Sequence, residues 1–327
     1  MHIPDAVVLS TPVAAATGVV AAAGLGLGLR TLRAQASDRT TVLMGMMSAF
    51  VFAAQMVKFP VFPGVSGHLL GGVLAAVMLG PWAGAVVIAA VLLVQCFLFG
   101  DGGVTALGAN FLNMGLIGAA AGYAIYAPVR RAVGGRGGII LGGMVAAWFS
   151  VLLSSGALAV ELAASGGAGG FLRVLGWMAL VHAAIGLGEA LITGLVLRSV
   201  LLARPDLIDD PGLRGKPSAA GRWGQVAGAG LAVALAVAIF LAPFASSSPD
   251  GLEYVGARLG FRKDGPTLLA APIPDYTLPL PGVRHVAAAT AAAGVVGTLV
   301  VFAVGLGLAR APAATRRAPE GMAADAA

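Results

Sequence analysis

Residues 83–99 read AGAVVIAAVLLVQCFLF, a run without a charged side chain. An α-helix rises 1.5 Å per residue, so about 20 apolar residues cross the hydrocarbon core of a bilayer. This run is close to that length, and comparable runs recur along the chain. We therefore predict an all-α, polytopic membrane protein, with candidate spans near 7–29, 42–57, 68–79, 83–99, 107–126, 139–160, 174–201, 225–244 and 286–308.

The composition of the chain indicates that most of its surface contacts lipid and not water. Of 327 residues, 58% are hydrophobic and 10% are charged, whereas a soluble domain carries about a quarter charged residues. The 49 glycines suit helices that associate by close backbone approach at small residues. Because cytoplasmic loops of membrane proteins are rich in Lys and Arg, the net charge of +6 gives no indication of nucleic-acid binding.

The distribution of basic residues predicts the orientation. If the N-terminus lies outside, fourteen of the 20 Lys and Arg residues fall in cytoplasmic segments, as the positive-inside rule requires. We therefore predict a multi-pass protein of the cell membrane with its N-terminus outside and its C-terminus in the cytoplasm. No basic residue precedes Arg30, so residues 7–29 are interpreted as a retained helix and not as a cleaved signal.

The chain divides into two unequal parts. Residues 1–203 hold seven predicted spans with short connections, and 204–224 form a polar, cytoplasmic linker. Two more spans follow within 225–310, on either side of an external loop at 245–285 that is rich in proline and charge and is expected to have modest order. The tail at 311–327 is rich in Ala, Pro and Arg and is predicted to be disordered.

The N-terminus, MHIPD at 1–5, offers several metal ligands in few residues. A free α-amine, the backbone nitrogen of His2 and its imidazole can chelate one ion in successive rings. A fourth nitrogen in the plane would complete a square-planar site, a geometry typical of Ni(II) or Cu(II). Such a chelate requires a deprotonated amine and amide, so its affinity should rise with pH.

A histidine at position 2 is weak support by itself, because a disordered terminus is the ordinary alternative. A second histidine strengthens the interpretation. His68 lies in PGVSGHLLGG at 63–72, at the predicted outer end of the third span, on the same side of the membrane as His2.

Several longer stretches resemble one known family. MHIPD at 1–5, FPGVSGHLLGG at 62–72, LGPWA at 79–83, FGDGGVTALGANFLNM at 99–114 and HAAIGLGEALITG at 182–194 resemble the substrate-binding membrane subunit of nickel and cobalt energy-coupling-factor (ECF) transporters. The resemblance covers residues 1 to about 203. Residues 204–327 resemble the small companion subunit of these systems, whose signature is PDGLE at 249–253.

The resemblance implies a seven-helix substrate-binding bundle fused to two companion helices. It implies Ni2+ or Co2+ as the transported substrate, bound by the amine of Met1, the amide and imidazole nitrogens of His2, and the imidazole of His68. Ala6 departs from the glycine that is common in the family. The implied partners are a transmembrane coupling subunit and a pair of cytoplasmic ATPases, which would reorient the loaded bundle in the lipid membrane.

Other polar residues are candidates for the surroundings of the metal. Asp5 can hold the N-terminal turn or balance charge, and Asp101 can cap the next helix or orient a ligand. Asn110 and Asn113 lie one turn apart, and either bind helices together or line the site. The candidate set around the metal is Asp5, Ser66, Asp101, Asn110 and Asn113.

His182 and Glu189 are seven residues apart and share a helical face. Glu189 is expected to lie deep in the bundle, far from the capture site. Ionisable groups inside a membrane indicate function by default, here in metal release or contact with the energising subunit. The alternative is that the two residues serve structural pairing.

Two rival functions remain open. A capture subunit for a vitamin or other small organic molecule would need aromatic stacking residues, but aromatic residues make up only 6% of the chain. An intramembrane metalloenzyme would need a general acid or base beside its metal, and no carboxylate is suitably placed in the sequence. No phosphate-binding loop is present, so we expect a transporter subunit without enzymatic activity or a catalytic cofactor.

Overall fold

The computed structural model describes residues 2–4, 9–34, 37–166, 170–213, 223–261, 268–278 and 285–314. These residues form a helical bundle with one small hairpin. The helices are α1 (Thr11–Ala34), α2 (Asp38–Met56), α3 (Gly72–Leu79), α4 (Pro81–Val94), α5 (Leu107–Asn110), α6 (Gly122–Val133), α7 (Gly135–Ala164), α8 (Phe171–Ala203), α9 (Trp223–Phe240), α10 (Gly251–Leu259) and α11 (Val286–Ala314). The strands are β1 (Phe59–Phe62) and β2 (Val65–Gly67), which pair antiparallel.

Two spans continue through segments of π-helix, in which the hydrogen-bonded turn is wider than in an α-helix. Gln95–Phe99 extends α4, and Phe111–Ala121 joins α5 to α6. With these segments included, seven helices within the described residues are long and apolar enough to cross a membrane. The prediction of an all-α, polytopic membrane protein is confirmed.

Two of the nine predicted spans do not meet that criterion. The segment at 42–57 is part of α2, which carries Asp38 and Arg39 at its start and Gln55 near its end. The segment at 68–79 forms a helix of only eight residues, α3, which at 1.5 Å per residue is roughly 12 Å long. Residues 68–71 precede this helix as a turn, and that turn carries His68.

α3 and α4 form the centre of the bundle. All eight residues of α3 are buried, as are most of those in α4. The two helices touch so closely that a Cβ on Gly84 would lie 2.6 Å from the backbone nitrogen of Ala76. Close backbone approach of this kind is how helices associate in lipid.

α8 has one exposed apolar face and one buried face, as expected for a helix that contacts lipid on one side. Leu180, Leu187 and Leu191 are more than half exposed, and they recur at the spacing of one helix face. The opposite face buries polar groups, including His182 and Glu189. Because a membrane offers no water to buried polar groups, these side chains need partners inside the protein.

The two C-terminal helices pack on the N-terminal bundle through α2. A Cβ on Gly45 would lie 2.8 Å from the side chain of Leu306 in α11, and one on Gly230 in α9 would meet Met46. The alanines Ala49, Ala53, Ala234 and Ala238 form a fully buried cluster between α2 and α9. The C-terminal part is thus attached to the same helix that leads into the hairpin.

The described part of the loop at 245–285 is more ordered than its composition indicates. It contains α10, which begins with a capping box between Asp250 and Glu253 and buries Leu252 and Val255 completely. The expectation of modest order is therefore wrong for this helix, because its apolar face packs on α8. Residues 262–267 and 279–284 lie outside the described residues.

The linker after α8 packs against the ends of α3 and α6. Arg130 donates two hydrogen bonds to Asp210, at 2.7 and 3.0 Å, and this contact holds the pKa of Asp210 below its usual range. The backbone N–H of Asp209 donates to the carbonyl of Met78 at the end of α3. The predicted tail at 311–327 begins inside α11, which continues to Ala314, and the rest of it lies outside the described residues.

Candidate metal centre

His68 lies in the turn that joins β2 to α3, and it is 5% exposed. Its Nδ1 donates to the carbonyl of Leu69 at 3.0 Å, because a carbonyl oxygen only accepts. A metal-binding histidine usually donates its other ring nitrogen to such an acceptor. This hydrogen bond leaves Nε2 as the nitrogen that can accept a proton or a metal ion.

The turn after His68 is held by buried polar side chains from other helices. Glu189 in α8 accepts hydrogen bonds from the backbone N–H groups of Leu70 and Gly71, at 2.6 and 2.9 Å. Gln55 in α2 donates to the carbonyl of Leu70 at 2.8 Å, and Gln95 donates to Gln55 at 2.7 Å. Gly71 has φ = +75°, a left-handed conformation that glycine adopts without strain.

This arrangement corrects the expectation for Glu189. The carboxylate is not remote from the proposed capture site, since its two hydrogen bonds fall two and three residues after His68. It also does not pair with His182, whose Nδ1 donates to the carbonyl of Met178 at 2.8 Å. Sequence spacing alone could not reveal this, because the partners are 118 and 119 residues apart.

His2 reaches the same region because Asn110 binds the backbone of the next residue. The N–H of Ile3 donates to Asn110 Oδ1 at 2.7 Å, and Asn110 Nδ2 donates to the carbonyl of Ile3 at 3.2 Å. Gly103 adds a backbone hydrogen bond to the same carbonyl at 2.7 Å. Ile3 is fully buried, so residues 2–4 are docked on the bundle. Met1 and Asp5 lie outside the described residues.

The imidazole rings of His2 and His68 are stacked. Their centroids are 5.3 Å apart and their planes differ by 6°. Metal–nitrogen bonds of histidine are about 2 Å long, so rings at this separation can both bind a single ion. Nε2 of His2 is buried and has no hydrogen-bond partner among the described residues.

Burial, which penalises the charged imidazolium, lowers the pKa of His2 to about 4, although Asp101 acts in the opposite direction. His2 is therefore neutral at physiological pH. A neutral imidazole is the form that binds metal ions.

Asp101 faces His2, and the N-cap of the next helix, α5, is Ala106 and not Asp101. Its Oδ1 is 3.3 Å from His2 Nδ1, and its Oδ2 accepts a hydrogen bond of 2.6 Å from the hydroxyl of Tyr276. Burial acts to raise the pKa of Asp101, but the contacts with His2 and Tyr276 outweigh it and hold that pKa below its usual range. Tyr276 comes from the C-terminal part of the chain.

A second carboxylate, Asp250, faces His68. Its Oδ2 lies 3.8 Å from His68 Nε2. Burial acts to raise the pKa of Asp250, but nearby positive charge and the contact with His68 outweigh it and hold that pKa well below its usual range. Sequence reasoning used Asp250 only as part of the PDGLE signature and did not place it at the site. The sequence offered one indication of this role, since Asp250 is an acidic residue in a motif of the predicted external loop, on the side of the membrane where His68 is expected.

The remaining candidates have other partners. Ser66 donates to the carbonyl of Ser248 at 2.8 Å, so it ties the hairpin to the C-terminal loop. Asn113 donates to Glu161 in α7 at 2.9 Å and thus joins two helices. A small cavity beside the His68 imidazole is lined by Gly67, His68, Leu70, His182, Ile185, Asp250 and Gly251.

Three aromatic side chains pack together on the far side of Asp101. Phe52, Phe99 and Tyr276 lie within 4.6–6.1 Å of one another. Phe52 and Phe99 are almost completely buried, and the Tyr276 hydroxyl is bound to Asp101, so the cluster is packed and offers no open stacking face. Within the described part of the chain, no three His, Cys, Asp or Glu side chains form a group that would hold a metal by themselves.

Comparison with known proteins assigns both parts of the chain. The family described as "Cobalt uptake substrate-specific transmembrane region" matches residues 2–207, and the PDGLE domain matches residues 224–313. The "Putative fused nickel transport protein NikMN" of Archaeoglobus fulgidus is 37% identical over 311 residues, which cover 95% of this chain and 98% of the relative.

A shorter relative and a solved structure agree with this assignment. The "Cobalt transport protein CbiM" of Kyrpidia tusciae is 29% identical over 187 residues, 56% of this chain and 76% of that protein. A crystal structure described as a transition metal transporter is 29% identical with a TM-score of 0.56, and it covers 66% of this chain and 100% of its own. The chain therefore belongs to the family of cobalt-uptake substrate-specific transmembrane proteins, and it is a metal-transporter component with a fused C-terminal PDGLE domain.

Proposed function

We propose that this protein is the substrate-capture subunit of an ATP-driven importer, and that it binds Ni2+ or Co2+ through a planar set of four nitrogens. The observation that carries the proposal is the pair of parallel imidazoles, 5.3 Å apart, brought together from residues 2 and 68. Relatives named as nickel and cobalt transport proteins support the choice of metals.

The proposed ligands are the amine of Met1, the amide nitrogen and Nδ1 of His2, and Nε2 of His68; in this proposal the ion replaces the 3.3 Å contact between His2 Nδ1 and Asp101 Oδ1. Amine and amide close a five-membered ring with the ion, and amide and Nδ1 close a six-membered ring. The docking of Ile3 by Asn110 supports this arrangement, since it holds the residue next to the chelate. A planar nitrogen set favours Ni(II).

The ion is the transported substrate in this proposal, and its transport needs energy from partner proteins. We propose a transmembrane coupling subunit and two cytoplasmic ATPases as partners, because the sequence carries no phosphate-binding loop. The N-terminus and both histidines lie on the outer face of the cell membrane in this proposal, and the linker end lies in the cytoplasm. The positive-inside distribution of Lys and Arg supports this orientation.

Titration of the purified full chain with NiCl2 and CoCl2 tests the proposal. We expect tight binding of about one ion per chain by a protein that begins at Met1. His2→Ala should abolish tight binding, and His68→Ala should leave a three-nitrogen site of much weaker affinity. An extra residue before Met1 should be as damaging as His2→Ala, because it moves the α-amine out of the chelate.

His285→Ala is the matched control, since His285 is exposed at the start of α11, and it should leave the affinity unchanged. Unaltered Ni2+ affinity in His2→Ala or in the extended chain would overturn the proposed site. Binding of an organic molecule without metal would favour a vitamin-capture subunit, and substrate turnover without partner proteins would favour a metalloenzyme.

A further inference from the structure

Asp250 is the second residue of the PDGLE motif, and its two carboxylate oxygens contact different groups. Its Oδ1 accepts a hydrogen bond of 2.8 Å from the backbone N–H of Glu253 and so caps α10. Its Oδ2 is 3.8 Å from His68 Nε2, the nitrogen that the proposed function assigns to the metal. One side chain therefore links the start of the PDGLE helix to the metal centre.

The segment that carries Asp250 is fixed to the bundle on both sides. Ser66 donates through its backbone N–H to the carbonyl of Pro249 at 2.9 Å. On the other side, a Cβ on Gly251 would lie 2.6 Å from the Ile185 side chain and 3.0 Å from the His182 ring. This close packing holds the Asp250 carboxylate at the site instead of in the surrounding solvent.

The hydrogen bond of His68 Nδ1 determines which ring nitrogen faces the Asp250 carboxylate. When the imidazole is neutral, its proton is on Nδ1, which donates to Leu69, and Nε2 carries a lone pair. Nε2 lies 3.8 Å from Asp250 Oδ2, so a cation bound at Nε2 lies close to the negative charge of this carboxylate. A dication held by neutral nitrogens and one deprotonated amide keeps a net positive charge, and a buried charge needs an opposite charge nearby.

We propose that Asp250 supplies counter-charge to the dication bound at His68, so that the PDGLE domain contributes a residue of the metal site itself. The inference rests on the proposed function and adds a role for the fused domain. Asp250 acts through space on the ion and on the His68 ring, and it is a positioning residue, not one of the four nitrogen ligands.

Asp250→Asn tests this role, with NiCl2 titrated into the purified full chain. Asparagine caps a helix as well as aspartate does, so the substitution removes the charge and keeps the cap. Loss of a group that supports metal ligands typically lowers metal affinity 10–100-fold, and we expect a loss in that range. The thermal midpoint of the metal-free protein and the visible absorption spectrum of bound Ni2+ should stay as in the parent chain.

Asp250→Ser repeats the test with a second capping residue that has no charge, in case the amide of asparagine disturbs packing. Glu253→Gln is the matched control, because glutamine keeps the capping-box acceptor for the N–H of Asp250 and removes a charge from the same helix start; the affinity of this variant should equal that of the parent. Unchanged or tighter Ni2+ binding in Asp250→Asn and Asp250→Ser would overturn the inference. Weaker binding together with a lower metal-free midpoint or an altered spectrum would also overturn it, as a purely structural effect.

His68→Ala in the same series separates this inference from the proposed function. If His68→Ala loses binding while both Asp250 variants keep it, the capture site stands and the role of Asp250 fails. If His68→Ala keeps full affinity, the capture site itself fails, whatever the Asp250 variants show.

Discussion

At the scale of single residues, the candidate site depends on amide side chains that bind backbone. Asn110 donates to and accepts from Ile3, so one side chain satisfies both polar groups of a buried residue. Asn113 lies one turn further along the same span but bonds to Glu161 and, through its carbonyl, to Ser154. Of the two asparagines, only Asn110 holds Ile3, the residue that follows His2.

Asn110→Ala should weaken Ni2+ binding about 30-fold. The substitution removes two buried hydrogen bonds worth about 1 kcal/mol each, and about 2 kcal/mol corresponds to a factor of about 30 in affinity. Isothermal titration of the purified chain measures the change. Asn113→Ala is the control: it should lower thermal stability, because it leaves Glu161 without its amide partner, but it should not change the affinity. Equal affinities for the two variants would contradict a docking role for Asn110.

At the scale of elements, the turn that leads into α3 is held by a carboxylate from another helix. The N-cap of α3 is Gly71, whose N–H needs an acceptor from elsewhere, as does the N–H of Leu70 before it. Glu189 provides both of its oxygens to Leu70 and Gly71. Glu161, the other buried carboxylate of α7 and α8, uses only one oxygen, and its Oε1 has no partner within the described residues.

The two glutamates should therefore respond differently to the same substitution. Glu189→Gln replaces one acceptor by an NH2 group that faces a backbone donor, and hydrogen bonds to charged groups are worth about 1.5–3 kcal/mol. We expect the thermal midpoint in detergent to fall by roughly 5–10 °C. Glu161→Gln should change it by less than about 2 °C, since the glutamine oxygen can still accept from Asn113. A similar shift in both variants would contradict the role of Glu189 in holding the turn before α3.

At the scale of the whole molecule, hydropathy predicted the long helices because each must match the thickness of the membrane. The composition of the chain could not predict α10 or the hairpin of β1 and β2, since both are stabilised by contacts outside the membrane. The family resemblance placed His2 and His68 together. It could not place Asp250 or Tyr276 beside them, because these contacts join residues about 180 positions apart, such as Asp101 and Tyr276 (separated by 175), and no local pattern records them.

Orientation is a property of the whole chain, and the structure makes it easy to test. Cys96 is the one cysteine of the sequence and is buried, so Cys96→Ala provides a background without thiols. Two exposed residues can be replaced by cysteine in that background. Pro63 lies at the tip of the hairpin that precedes His68, and Arg131 lies near the end of α6.

A membrane-impermeant maleimide applied to intact cells should label Pro63→Cys, because the hairpin faces outside in the proposed orientation. It should label Arg131→Cys only after the membrane is permeabilised. The reverse pattern would place the histidines on the cytoplasmic side, where an imported ion leaves and is not captured. The capture role requires both histidines to meet the ion before it crosses, so this experiment tests the direction of transport independently of metal affinity.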